Sequence, residues 1–168
     1  MQNGHDIDIR NLQGFEYRGT SLGLAPWVEK LSWKTFKKTF LYDKKLNITR
    51  GFNIRMTQTG SLDDYEPVIK NGLPLTFGHY TVEPFGNYRL PLTIEHGLLI
   101  NYGSGLNSRL DFTARLKDPI VAIEKGNDDF LLGWSYLDLG FARFKTPSFF
   151  CLEKDGPISY VAEPARVP

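Results

Sequence analysis

From about residue 40 onward, apolar and polar positions alternate in short runs separated by turn residues. LNITRGFNIRMTQ (46–58) sets Ile48, Arg50, Phe52, Ile54 and Met56 against Asn47, Thr49, Gly51, Asn53 and Arg55. LPLTFGHYTVEP (73–84), YRLPLTIEHGLLINYG (88–103), SRLDFTARL (108–116), PIVAIEK (119–125), DFLLGWSYLDLG (129–140) and SFFCLEK (148–154) follow. All are rich in β-branched and aromatic residues, which favour a pleated, half-buried surface. Turn chemistry lies between them, at 83–87, 103–107, 125–129 and 154–157. Earlier in the chain, Pro26 and Glu29 suit the first turn of a helix carrying Trp27 and Leu31 on one face. The following WKTFKKTF also suits a strand.

Seven or more strands with short connections favour antiparallel neighbours. Their edges must pair or close. The expected fold is therefore mainly β: a single antiparallel β-barrel with one short N-terminal helix, and a two-sheet sandwich is the second choice. One domain over residues 1–168 follows from the length, with loose ends at about 1–13 and 156–168. Glycines at 78, 97, 133 and 140 fall inside the strand runs, where a sheet bends or a neighbour approaches the backbone.

Strand periodicity also sorts the candidate chemistry. In 92–102, Ile94, His96, Leu98, Ile100 and Tyr102 share one face, and Glu95 points to the other. Leu75, Phe77 and His79 share a face, as do Phe130, Leu132, Trp134, Tyr136 and Asp138. Arg115 and Asp111 lie opposite Leu110, Phe112 and Ala114. Aromatic walls with a few polar tips describe a small-molecule pocket, although a hydrogen-bonded core histidine among buried aromatics fits the same pattern.

Composition narrows the classes. Net charge is +1 with no basic block, so there is no electrostatic footprint for nucleic acid. The densest basic stretch, WKTFKKTFLYDKK at 33–45, is read as a solvated helix or strand edge. A lone cysteine, Cys151, excludes an internal disulfide and a Cys-based zinc site. No apolar run approaches the ~20 residues of a membrane span. The polar start MQNGHDIDIR is not a signal peptide, so a cytoplasmic protein is expected.

GTSLG (19–23) matches the G-x-S-x-G nucleophile elbow, but the chain lacks the alternating strands and helices of that fold, and a flexible strand-to-helix turn is the reading kept. GSG at 103–105 reads as a hairpin turn. His5, His79 and His96 have no metal-ligand spacing, and neither metal nor cofactor is assigned.

The glycine-aromatic segment GFEYRG (14–19), followed by a short helix and hairpin-linked strands, resembles the calycin-type barrels, the lipocalins and fatty-acid-binding proteins. It is also similar to the small GXWXG-motif proteins, with Phe15 and Tyr17 where that motif has Gly and Trp. The resemblance implies an internal ligand cavity and carries over no catalytic residue.

The expected function is a cofactor-independent isomerase, cyclase or lyase acting on a small hydrophobic or aromatic molecule inside the barrel. His96 and Tyr102 are the candidate catalytic residues. His79, Trp134, Tyr136, Phe77, Phe130 and Arg115 are the candidate ligand contacts. A carrier with the same cavity is the alternative, and a protein-interaction module is the second. Neither nucleic acid nor membrane is an expected partner, and the chain could pair as a homodimer.

Overall fold

The computed structural model describes residues 1–22, 34–58, 65–86, 88–108 and 110–165. The strands are β1 (Phe15–Leu22), β2 (Thr35–Asp43), β3 (Ile48–Arg55), β4 (Ile69–Lys70), β5 (Leu73–Pro74), β6 (Thr76–Pro84), β7 (Leu98–Asn101), β8 (Leu116–Glu124), β9 (Asn127–Asp138) and β10 (Arg143–Pro157). Among the described residues, eight of them close a barrel in the order β1-β10-β9-β8-β7-β6-β3-β2, with every pairing antiparallel. Each barrel strand lies beside the next one in the chain, and β1 meets β10 to remove the edges. β4 and β5 form a separate hairpin turned by Asn71-Gly72, both at positive φ, as a two-residue type I′ connection requires.

One end of the barrel is plugged by the N-terminal segment. Its helix α1 (Ile9–Leu12) is capped by Asp8, whose side chain accepts from the Arg10 N–H. Ile7 and Leu12 enter the core beside Tyr17, Phe40, Leu98, Ile120 and Leu152. Ile7 and Leu12 are the buried residues of the first thirteen and tie that segment to the core. The tail is packed too: Tyr160 and Ala162 cover Phe52, Ile54 and Met56 on the outer face of β3.

The expected strand at 88–103 is realised only over β7. Gly97 (φ 111) breaks the extended run. Phe85, Tyr88, Leu90, Leu92 and Ile94 instead lie across the outer face of the sheet, where they cover Leu99, Val121, Trp134 and Tyr136. Within the expected strand at 108–116, Phe112–Arg115 forms a 3-10 turn capped by the Asp111 carboxylate, and Leu116 already begins β8. That local capping competes with a ladder and wins. The expected helix after Pro26 falls mostly at 23–33, outside the described residues, and Thr35 and Phe36 already belong to β2. GTSL lies within β1 rather than in a turn. Among the described residues no helix is long and apolar enough to cross a membrane.

Candidate functional site

Toward the barrel end opposite α1, the interior is not filled. A cavity of about 210 Å³ lies between Ser21 of β1, Phe36 and Lys38 of β2, Asn53 of β3, Phe77 of β6, Tyr102 of the turn after β7, Leu116 and Asp118 of β8, Ser135 of β9, and Ser148 and Phe150 of β10. Two aromatic walls depend on glycine. A Cβ on Gly19 would lie 2.2 Å from the Phe36 ring, and one on Gly133 would lie 2.1 Å from the Phe150 ring. The two rings, on the strands either side of β1, pack edge to face with centroids 5.8 Å apart.

The polar part of the cavity centres on Lys38, whose side chain is 2% exposed. Strand alternation places it between Phe36 and Phe40 on the inward face of β2. Its ammonium donates to Asn53 Oδ1 at 3.0 Å, to the Tyr102 hydroxyl at 2.5 Å and to Asp118 Oδ2 at 3.3 Å. Three N–H donors thus meet three acceptors. Tyr102 in turn donates to Asp118 Oδ2 at 3.0 Å and accepts from Asn53 Nδ2 at 3.3 Å. The Lys38 nitrogen lies 5.1–5.4 Å from the ring centroids of Phe36, Tyr80, Tyr102 and Phe150. Rings so placed attract a cation through their quadrupoles.

Both oxygens of Asp118 are accounted for differently. Oδ2 takes two donors, whereas Oδ1 is buried with no hydrogen-bond partner among the described residues. An unpaired buried acceptor costs about 1–3 kcal/mol and marks a place where a donor is wanted. Burial also acts on the neighbours. It pushes the Lys38 ammonium below the ordinary lysine range, and the charge and hydrogen bond of Asp118 only partly oppose it. Burial, aided by the Asp118 charge, raises the Tyr102 phenol well above its usual range, so Tyr102 stays a proton donor.

Of the residues expected from sequence, Tyr102 and Phe77 line this cavity. Trp134 and Tyr136 share a face as expected, but it is the outer face, under Phe85, Tyr88, Leu90, Leu92 and Ile94. Phe130 is exposed and Arg115 lies on the surface. His79 is buried beside Phe52 and borders a separate hollow with Arg50 and Ser104; burial lowers its pKa. His96 does not join the Leu98–Ile100–Tyr102 face. It precedes β7 with its side chain 49% exposed, its Nδ1 3.1 Å from Asp6 Oδ2. It borders an open polar depression shared with His5, Asp8 and Asp128. No three His, Cys, Asp or Glu side chains among the described residues come together to hold a metal.

Lys38, Asp118 and Asn53 were not singled out from the sequence. For Lys38 and Asp118 the signal was a charged residue flanked at i±2 by inward apolar residues, Phe36 and Phe40 around Lys38, Leu116 and Ile120 around Asp118; Asn53, between Gly51 and Arg55, carried no such signal. Compared with protein families, curated proteins and solved structures, the chain matches none of them.

Proposed function

We propose that this barrel is a cofactor-independent enzyme, an isomerase, cyclase or lyase, that moves a proton on a small, neutral, largely apolar molecule held in the cavity. The observation that carries this reading is Asp118 Oδ1, a buried carboxylate oxygen without a donor at an apolar cavity wall. Lys38 and Tyr102 fix Oδ2 and so orient the carboxylate. Oδ1 is left to accept a proton from the substrate, and a positioned base of this kind contributes ~10²–10⁴-fold. Ser135 and Ser148 supply hydroxyls to the same wall for a substrate oxygen. The paired charges of Lys38 and Asp118 sum to zero, which favours a neutral ligand, and the volume is below the ~300–1,000 Å³ of sites for drug-sized molecules. Tyr102 keeps a role as orienting donor, and His96 belongs to a different surface.

The up-and-down closure of eight antiparallel strands around a cavity is compatible with the calycin-like relationship, which we keep as part of this proposal. A cytoplasmic setting, with the free Cys151 thiol, belongs to it as well.

Cyclohexanone tests the chemistry without knowledge of the natural substrate. Its α-protons exchange in D₂O when a base removes them, and proton NMR follows the loss. The wild-type chain is expected to accelerate exchange, and Asp118→Asn, checked for fold by circular dichroism, to lose at least ~10²-fold of that rate. Equal rates with wild type, variant and buffer refute the enzyme. Binding seen by saturation transfer without exchange in either chain supports the carrier instead.

A further inference from the structure

We propose that Lys38 is a covalent catalytic residue whose amine condenses with a small aldehyde or ketone in the cavity to form an imine. This rests on the proton-transfer reading above and names its substrate class. A lysine becomes a nucleophile when burial disfavours its ammonium and a base beside it takes the proton; Asp118, hydrogen-bonded to Lys38, is that base. Lys38 is 2% exposed and lines the cavity, and its nitrogen lies within 5.4 Å of the ring centroids of Phe36, Tyr102 and Phe150, all three of which wall the same space. The amine therefore meets any carbonyl compound that the cavity admits. Burial also pushes the Lys38 ammonium toward its neutral form.

The steps balance within the site. The Lys38 ammonium gives a proton to Asp118 Oδ2, 3.3 Å away. The neutral amine attacks the carbonyl carbon; the C–N bond forms, and the C=O π pair moves to oxygen. That oxygen takes a proton from the nitrogen, giving a carbinolamine. Asp118, now a carboxylic acid, returns its proton to the hydroxyl, which leaves as water while the nitrogen lone pair closes the C=N bond. The products are a protonated imine, water and the Asp118 carboxylate. The imine's positive charge sits where the ammonium sat, among the same rings. It also acidifies the C–H bonds next to the former carbonyl, the protons that Asp118 Oδ1 is placed to accept. The apolar walls of Phe77 and Leu116 and the Lys38–Asp118 charge balance select uncharged carbonyl compounds.

Reductive trapping tests the imine. The full-length chain is incubated with butanal or cyclohexanone and sodium borohydride, then read by intact mass and peptide mapping. One reduced adduct per chain is expected, on Lys38, ahead of exposed lysines such as Lys44, Lys45 and Lys125. The preference should vanish in urea-unfolded chain, a control that needs no variant. Lys38→Arg should lose the adduct while keeping the circular dichroism of the wild type. Label spread over the exposed lysines, or no Lys38 label while α-proton exchange persists, overturns the imine and leaves the proton-transfer reading standing. A Lys38 label without Asp118-dependent exchange supports the imine and removes the proton-transfer role of Asp118.

Discussion

Replacing Lys38 with methionine tests whether the polar centre of the barrel is one coupled unit. Both members of the Lys38–Asp118 pair are almost fully buried, at 2% and 3% side-chain exposure. Lys38→Met removes one of the two donors to Asp118 Oδ2 and leaves that carboxylate with the Tyr102 hydroxyl alone. It also takes the ammonium donor from Asn53 Oδ1. Breaking one side of a buried pair costs about 3–5 kcal/mol, because the remaining charge is left uncompensated. At 2–4 °C per kcal/mol for a chain of this size, the melting point should fall by roughly 6–20 °C. Replacing both charges, Lys38→Met with Asp118→Leu, removes the stranded charge, and Tyr102 and Asn53 keep each other at 3.3 Å. The double variant should therefore recover most of the loss and fall within about 1–2 kcal/mol of the wild type. Urea unfolding followed by tryptophan fluorescence gives all three free energies. A single variant that costs under ~1 kcal/mol, or a double variant as unstable as the two singles summed, refutes the coupling.

Three further outcomes follow from the same geometry. Gly133→Ala puts a Cβ 2.1 Å from the Phe150 ring, which must swing toward the cavity it walls. The expected cost is about 1–3 kcal/mol in urea unfolding, with weaker cyclohexanone saturation transfer; unchanged binding would mean that the ring does not set the cavity's size. Asp155 ties β10 to β2 and β1 through Lys37 at 2.6 Å and Arg18 at 2.6 Å. Burial alone would raise its pKa, but the hydrogen bonds and charges of Lys37 and Arg18 outweigh it and leave the carboxyl below 3.8. A folded pKa below the unfolded one stabilises above pH 3.8 and loses that effect as pH falls through the folded value. Wild type should exceed Asp155→Asn by about 1 kcal/mol at pH 7 and converge with it in acid; a gap constant down to pH 2 contradicts the pairing. Finally, burial raises the pKa of Tyr17, Tyr80, Tyr102 and Tyr136. These phenols should remain protonated past pH 10 in the folded chain, and stability should fall as pH rises past 10, because only the unfolded chain can release those protons. Phenolate absorbance from all eight tyrosines near pH 10 in the folded chain would refute their burial.

The barrel was legible because its strands carry the period-2 pattern and the turn residues that join successive antiparallel strands. What the period does not encode is which face turns inward. β3 shows this sharply. Its greasier face, Phe52 and Ile54 with Met56 just beyond the strand, turns outward under Tyr160 and Ala162, while Asn53 turns toward the cavity. Trp134 and Tyr136 are likewise buried on the outer face, beneath Phe85, Tyr88, Leu90, Leu92 and Ile94. Both covers are irregular stretches with no periodicity of their own, and they make outer positions as dry as inner ones. Seen from sequence, a strand with two covered faces offers no contrast by which to choose the interior. Tyr102 was found because Leu98 and Ile100 really do face inward; His96 was not joined to them because Gly97 ends the strand between them.

The same ambiguity hid the polar centre. A lysine in WKTFKKTF is read as solvated because burying an ammonium is costly, and the reading fails only when an opposite charge waits on another strand. That charge, Asp118, lies 80 residues on in the chain, on β8, and β2 and β8 do not pair with each other, so no local pattern joins the two. Barrel closure brings them together across the interior. Stability alone does not account for the arrangement, since apolar residues of similar volume serve a core as well or better. Nor does simple pairing, which would satisfy both oxygens of the carboxylate. Asp118 Oδ1 is left without a donor, and the site that holds it is bounded by rings standing over glycine instead of being filled. A core built only to fold would close that space with one more side chain; here the space and the unpaired acceptor lie together, which is the arrangement the proposed proton transfer needs.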